Sequence, residues 1–190
     1  MLTKRFSTAV ALAITAHATQ TRKGTQIPYI AHPLAVSALT LEFGGDEDQS
    51  IAALLHDAVE DGGAHYETII AKQFGKRVID IVMGCTDGVA NATGAKAPWR
   101  ERKEKYLAHL LSANHDVMLV SGCDKLANAQ AILNDLLEIG PRVFDRFTAK
   151  QTGTMWYYRQ LATIFLQRGA PMSARLDKTV SAIERLSAPE

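Results

Sequence analysis

The 190-residue chain has almost no net charge, little cysteine and no long apolar run. Lys and Arg together number 21 against 20 Asp and Glu, a formal charge of +1 at pH 7. That balance leaves no basic footprint of the kind a phosphate backbone requires, so a nucleic-acid polymer is not an expected partner. Any nucleotide bound here has to be small and held in a pocket. The two cysteines, Cys85 and Cys123, make neither a disulfide framework nor a zinc-finger spacing. Both stand among apolar residues and read as buried free thiols, which suits a reducing cytoplasm. No stretch reaches the roughly 20 apolar residues of a membrane span, so no membrane partner is expected. Period-two alternation long enough for a strand is also missing.

The N-terminus carries a decoy. Lys4 and Arg5 precede an apolar stretch over residues 6–16, and Ala16-His17-Ala18 resembles a signal-peptidase site. Ser7, Thr8 and Thr15 interrupt that stretch, which runs on without a gap into polar residues that look functional. An exported helical protein is the competing reading that this segment raises.

What remains is helical. Residues 2–20 are alanine-rich at helical spacing, and residues 21–31 form a loop around Gly24 and Pro28. Pro33 suits the first turn of a helix to about residue 43. Gly44-Gly45 stops it, and Asp46 caps a helix predicted to run unbroken through IAALLHDAVED to about Asp61. Helices follow near 66–73 and 75–86, then a glycine-containing loop at 87–97. Pro98 opens a charged helix, and Asp116 is the predicted cap of a helix over 117–134. Pro141 begins a helical segment predicted to break near Gly153. Gly169-Ala170-Pro171 stops the next helix, and a last one covers about 172–187. The expected architecture is all-α: one compact multi-helix bundle over residues 1–190.

The chemistry concentrates in IAALLHDAVED, residues 51–61. It places His56, Asp57, Glu60 and Asp61 at the end of an apolar helix, with His56 and Glu60, and Asp57 and Asp61, four apart. An imidazole and three carboxylates crowded into one turn are costly to bury unless they bind a cation. A His-Asp pair alone means little: with 6 His and 11 Asp, chance supplies roughly 0.3 such pairs. His115-Asp116 is a second one, explained by capping. The first pair has company. His32 precedes Pro33 at a helix start, and Asp124 follows the apolar run 117–120. Two His and two Asp make a mixed imidazole and carboxylate set suited to a mid-row divalent ion such as Mn²⁺ or Fe²⁺.

The segments AHATQTRKGTQIPYIAHPLAV, IAALLHDAVED, FGKRVIDIVMGCTD and CDKLANAQ occur in that order over residues 5–170. In this the chain resembles the RelA/SpoT-type HD hydrolase domains, and most closely their small stand-alone alarmone hydrolases of the metazoan SpoT homologue kind. The resemblance implies an HD-domain fold and hydrolysis of the 3′-diphosphate of guanosine 3′,5′-bis(diphosphate), ppGpp, to GDP and pyrophosphate. It implies His32, His56, Asp57 and Asp124 as ligands of a metal, usually Mn²⁺, with Glu60 and Asp61 handling the attacking water. Arg22, Lys23, Tyr29 and Asn128 then match substrate-binding positions, Tyr157 falls where the family has a pocket tyrosine, and Lys125 or Arg100 assists with the outer phosphates. Tyr29, Trp156 and Tyr157 are candidates to stack on the base. Stacking does not distinguish guanine from adenine, so ppApp is a further expected substrate. The family usually reads K-L-A-D-[RK]-L-x-N-[ML]-R around the last ligand; here Ser121 stands for the lysine and Gln130 for the arginine. The chain is also too short for a synthetase domain besides this one. The competing enzyme is another HD phosphohydrolase, acting on a nucleoside monophosphate or the 2′-phosphate of NADPH. A nucleotide-binding module without turnover is the non-enzymatic alternative. The oligomeric state stays open.

Overall fold

The computed structural model describes residues 1–86 and 97–188. Among these no strand forms, only an isolated bridge between Thr21 and Pro28. The expected loop at 87–97 lies, but for residue 97, outside the described residues.

Helix α1 is Lys4–Ala16, started by Thr3, whose hydroxyl accepts from the Arg5 N–H. It buries Ala9 and Ala13 and ends earlier than predicted, because the chain turns back at His17: the Gln20 N–H bonds the His17 carbonyl, and the Tyr29 N–H bonds that of Gln20. Helix α2, Ala31–Glu42, holds His32 and Pro33 in its first turn, where a missing N–H leaves no bond unmade. Asp46 and Gln49 form a reciprocal capping box at the start of α3, Glu47–Leu55. Ile51, Ala52, Ala53, Leu54 and Leu55 are all fully buried, so α3 is the central rod of the core.

The predicted unbroken helix to Asp61 is corrected here. The chain breaks at His56-Asp57 and resumes as α4, Ala58–Gly62. The His56 ring takes the Ala53 carbonyl at 2.8 Å, the group that a continuous helix would offer to the Asp57 N–H. Local periodicity carries no trace of that competition.

Helices α5 (His65–Phe74) and α6 (Lys76–Cys85) follow, then α7 (Trp99–Leu110) and the long α8 (His115–Ile139). Asp116 is not the cap of α8: the Asn114 side chain accepts from the Val117 N–H. Asp116 instead accepts from Gln49 and from Arg77 of α6, and Arg77 also holds Asp46. One guanidinium thus ties the starts of α3 and α8 together. A 3₁₀ segment, Gly140–Arg146, leads to α9, Lys150–Gln167, and α10 is Ser173–Ser187. The break predicted near Gly153 does not occur. A Cβ at Gly153 would lie 2.7 Å from the Ala149 Cβ, one turn back at the start of α9, while the Trp99 ring of α7 stays at an ordinary 3.6 Å, so this glycine relieves crowding in the first turn of α9. Gly122 serves close packing of α8, where a Cβ would lie 2.3 Å from the Met172 sulfur at the head of α10. Both cysteines are buried and free. Among the described residues no helix is long and apolar enough to cross a membrane.

Candidate metal centre and nucleotide pocket

Three stretches converge beneath α4. His32 arrives from the first turn of α2, His56 and Asp57 from the break after α3, and Asp124 from the middle of α8. His32, His56 and Asp124 each offer one ligand atom within 4.8 Å of the others, all three buried. His32 Nε2 lies 3.1 Å from Asp124 Oδ1 and 3.7 Å from Asp57 Oδ2. His56 Nε2 lies 3.0 Å from Asp57 Oδ2 and 3.6 Å from Asp124 Oδ1. The break in the helix lets two consecutive residues face one point.

The hydrogen inventory of this cluster fits a cation. His56 Nδ1 faces a carbonyl, which can only accept, so it carries the ring hydrogen. That leaves Nε2 buried, without a hydrogen-bond partner, and aimed at two carboxylates. A lone pair among carboxylate lone pairs is repulsive unless a positive charge lies between them. Burial lowers the basicity of His56, but Asp57 and Asp124 outweigh it and push the imidazole well up. Burial dominates at His32 and pushes its imidazole down, against the opposing pull of Asp124. Burial alone would raise both carboxyls, yet His56 at Asp57, and Lys125 with the two imidazoles at Asp124, hold them below the usual carboxylate range. Two imidazoles and two ionised carboxylates can hold a divalent metal.

A second ring of contacts fixes the first. Tyr29 donates to Asp57 Oδ2 at 2.6 Å, and Asn128 donates to Asp124 Oδ1 at 2.6 Å. Arg22 donates to the Asn128 side-chain oxygen at 2.8 Å, and its guanidinium lies 5.7 Å from the Tyr29 ring centre. Lys125 Nζ sits 2.5 Å from Asp124 Oδ2 and 5.0 Å from the Tyr106 ring centre. Such outer partners set ligand orientation. Ser121, where the family has a lysine, is fully buried and shares a 2.7 Å hydrogen bond with the Tyr106 hydroxyl.

The centre opens into a cavity of about 190 Å³ lined by Asp57, Glu60, Asp61, Asp124, Lys103 and Lys125. Tyr29 and Asn128 are shared with a cavity of about 730 Å³, which Arg22, Lys23, Ile132, Phe147 and Tyr158 also line. Glu60 and Lys103 are shared with a third, of about 310 Å³, reaching Lys23, Arg102, Trp99 and Tyr157. The two larger cavities share Lys23, Ile132, Phe147 and Tyr158, so the three adjoin as a branched basin whose smallest arm holds Asp57 and Asp124.

Comparison with known proteins agrees with this geometry. Residues 9–155 match the HD domain family model. The chain belongs to the HD domain family. Within it, the guanosine-3′,5′-bis(diphosphate) 3′-pyrophosphohydrolases MESH1 of Xenopus tropicalis and Danio rerio are 37% and 35% identical to it, over 66% and 64% of this chain and 65% and 68% of their own. An Aquifex aeolicus protein of the same activity is 38% identical over 61% of this chain, which spans only 16% of that protein's length. The solved structure of a metazoan SpoT ortholog that hydrolyses ppGpp superposes with a TM-score of 0.74 at 25% identity, covering 97% of this chain and 96% of that one. A crystal structure from Listeria monocytogenes gives 0.68 at 26% identity, covering 82% and 98%.

The HD-domain chain brings His32, His56, Asp57 and Asp124 together, and sets Glu60, Asp61, Tyr29, Lys125 and Asn128 around the cavity that Asp57 and Asp124 line. Arg22, Lys23 and Tyr157 line the adjoining branches. Arg100 and Trp156 depart from expectation. The Arg100 guanidinium lies 3.3 Å from the Trp156 ring centre and pairs with Glu104, so both residues are engaged with each other. Arg102 and Lys103, further along α7, face the basin instead. The sequence also gave no notice of Tyr158, which lines both larger cavities, or of His17 and Gln20, which reach Asp61. Helical phase from Trp99 would have found Lys103, one turn on; the other three hang on tertiary contacts.

Proposed function

We propose that this HD-domain protein is a Mn²⁺-dependent hydrolase that removes the 3′-diphosphate of ppGpp, and of its adenosine counterpart ppApp, releasing diphosphate. The observation that carries this is the unpartnered, buried His56 Nε2 facing two carboxylates at the floor of a cavity rimmed by acids and lysines. His32, His56, Asp57 and Asp124 are the residues that hold the ion. A mid-row divalent cation there supplies Lewis acidity toward a water molecule and a phosphate oxygen.

The chain's own groups do the rest. Glu60 and Asp61 line the cavity as carboxylates able to orient the water and accept its proton. Water oxygen bonds to the phosphorus next to the 3′-oxygen, the bond between that phosphorus and the 3′-oxygen breaks, and the oxygen leaves with a proton. Lys103 and Lys125 meet the charge that develops on the phosphoryl oxygens. Burial opposes the charge on Lys125, but Asp124 outweighs it and keeps the ammonium protonated. Arg22, Tyr29 and Asn128 stand at the mouth of the 730 Å³ branch, which is large enough for a nucleoside. Purified protein loaded with Mn²⁺ is given ppGpp, ppApp, NADPH and nucleoside monophosphates. Diphosphate released from ppGpp supports this assignment; turnover of NADPH or a monophosphate alone would refute it.

A further inference from the structure

Gln20 is the hinge of a hydrogen-bond relay that none of the catalytic assignments above includes. Its amide Nε2 donates to Asp61 Oδ2 at 2.9 Å, and its Oε1 lies 2.7 Å from His17 Nδ1. The polarity of this chain is determined from one end. An ionised Asp61 only accepts, so the Gln20 amide must turn its NH₂ that way and its carbonyl oxygen toward His17. His17 Nδ1 must then carry the ring hydrogen. The remaining ring nitrogen, Nε2, is buried with no hydrogen-bond partner, and the whole residue is only 4% exposed. A buried imidazole kept in one tautomer, with its second nitrogen unmet, is a costly device. Its visible product is the orientation of a single amide.

The backbone of Gln20 serves the other carboxylate. Its carbonyl accepts from the Tyr29 N–H at 2.9 Å, and the Tyr29 hydroxyl holds Asp57. The His17 ring lies against the Tyr29 ring, centroids 4.9 Å apart. One residue in the turn after α1 thus reaches Asp61 through its side chain and, by way of Tyr29, Asp57 through its main chain.

We infer that Gln20, oriented by His17, is a positioning residue that fixes the Asp61 carboxylate for its work on the attacking water. This rests on the functional reading given above. Gln20 touches no reacting atom; it acts through Asp61. Its side chain also lines the nucleoside branch, so the diagnostic readouts are kcat and bound metal: its removal should lower kcat and leave metal binding alone.

The test is a double-mutant cycle on the Mn²⁺-loaded protein with ppGpp, with metal content and melting temperature measured on every variant. Gln20→Leu is expected to lower kcat about tenfold, the scale of one hydrogen bond to a charged group, with bound manganese unchanged within about twofold. In an Asp61→Asn background, where the acceptor no longer demands that polarity, Gln20→Leu should change kcat little further. Gln20→Glu, which keeps the shape but sets a carboxylate against Asp61, should lose at least as much as Gln20→Leu. His17→Asn, whose amide still donates to Gln20, should retain most of kcat, while His17→Leu should match Gln20→Leu. If either leucine variant fails to fold, the Gln20→Glu and His17→Asn pair decides alone. Equal losses in the wild-type and Asp61→Asn backgrounds, or full kcat in Gln20→Glu, overturn the inference. Wild-type protein that releases no diphosphate sinks the functional reading and this inference with it; active wild type with an indifferent Gln20 sinks the inference alone.

Discussion

The hydroxyl of Tyr29 and Nε2 of His56 meet the same oxygen, Oδ2 of Asp57, from 2.6 and 3.0 Å. The loop before α2 therefore grips a carboxylate that lies at a helix break some thirty residues later. Burial first, and Asp57 second, push the Tyr29 phenol far above its ordinary range, so it stands as a hydrogen-bond donor at neutral pH. Its hydrogen bond fixes one oxygen of the candidate ligand and leaves the carboxylate charged.

Replacing Tyr29 by Phe keeps the ring against His17 and deletes only that donor. Manganese affinity or turnover should fall by about 10- to 100-fold, as for other outer partners of metal ligands. Titration of the metal-free variant with Mn²⁺, alongside steady-state kinetics, checks this. Wild-type values in both would mean that the hydroxyl does not orient Asp57.

Asp57→Ala removes one of two carboxylates facing the His56 lone pair. Both bound manganese and diphosphate release should be abolished. Retained metal with full turnover would show that the ion, if any, is held elsewhere.

Glu60→Ala should separate the two properties. The side chain lines the cavity but lies outside the His/Asp cluster. Metal content should stay at the wild-type level while kcat drops by roughly 10²-fold or more, the range for a lost acid–base group. Unchanged kcat removes Glu60 from the proton path.

The Asp46 cap gives a pH-dependent stability. Burial would raise this carboxyl, but the Gln49 N–H and the Arg77 guanidinium outweigh it and hold the group below its ordinary value. A lowered folded-state pKa contributes stability above the unfolded-state value, which is lost as pH falls through the folded one. Asp46→Ala should therefore destabilise by about 1 kcal/mol at neutral pH, and the difference should shrink once the medium is more acidic than an ordinary carboxylate. Urea unfolding of both proteins across that range checks the sign. A gap that widens in acid would contradict it.

The all-helical plan could be read from spacing and stop signals, because Gly44-Gly45, Gly62-Gly63 and Gly169-Ala170-Pro171 are local punctuation. So could the His56-Asp57 pair with its acidic followers. The rest was illegible for one reason: it depends on partners far along the chain. Asn114 and Asp116 are equally good caps by composition, and Arg77 and Gln49 engage the second of them. Gly153 looks like a stop, but it sits inside the first turn of α9, where a Cβ would crowd Ala149. Arg100 and Lys103 are both basic residues of α7, and only the placement of Trp156 draws the first aside. His17 and Gln20 follow no pattern that local spacing rewards.

Peptide linkage already delivers His56 and Asp57 to one another, so half of the cage exists before α2 and α8 have docked. His32 and Asp124 are the long-range members, and they come from α2 and α8, which pack on α3 and on each other. An ion captured by all four would act as a staple across three segments, bound by the native chain and ignored by the denatured one. Thermal resistance of this protein should then rise with the logarithm of free manganese, and a chelator should loosen the seam between α2 and α8 before any other.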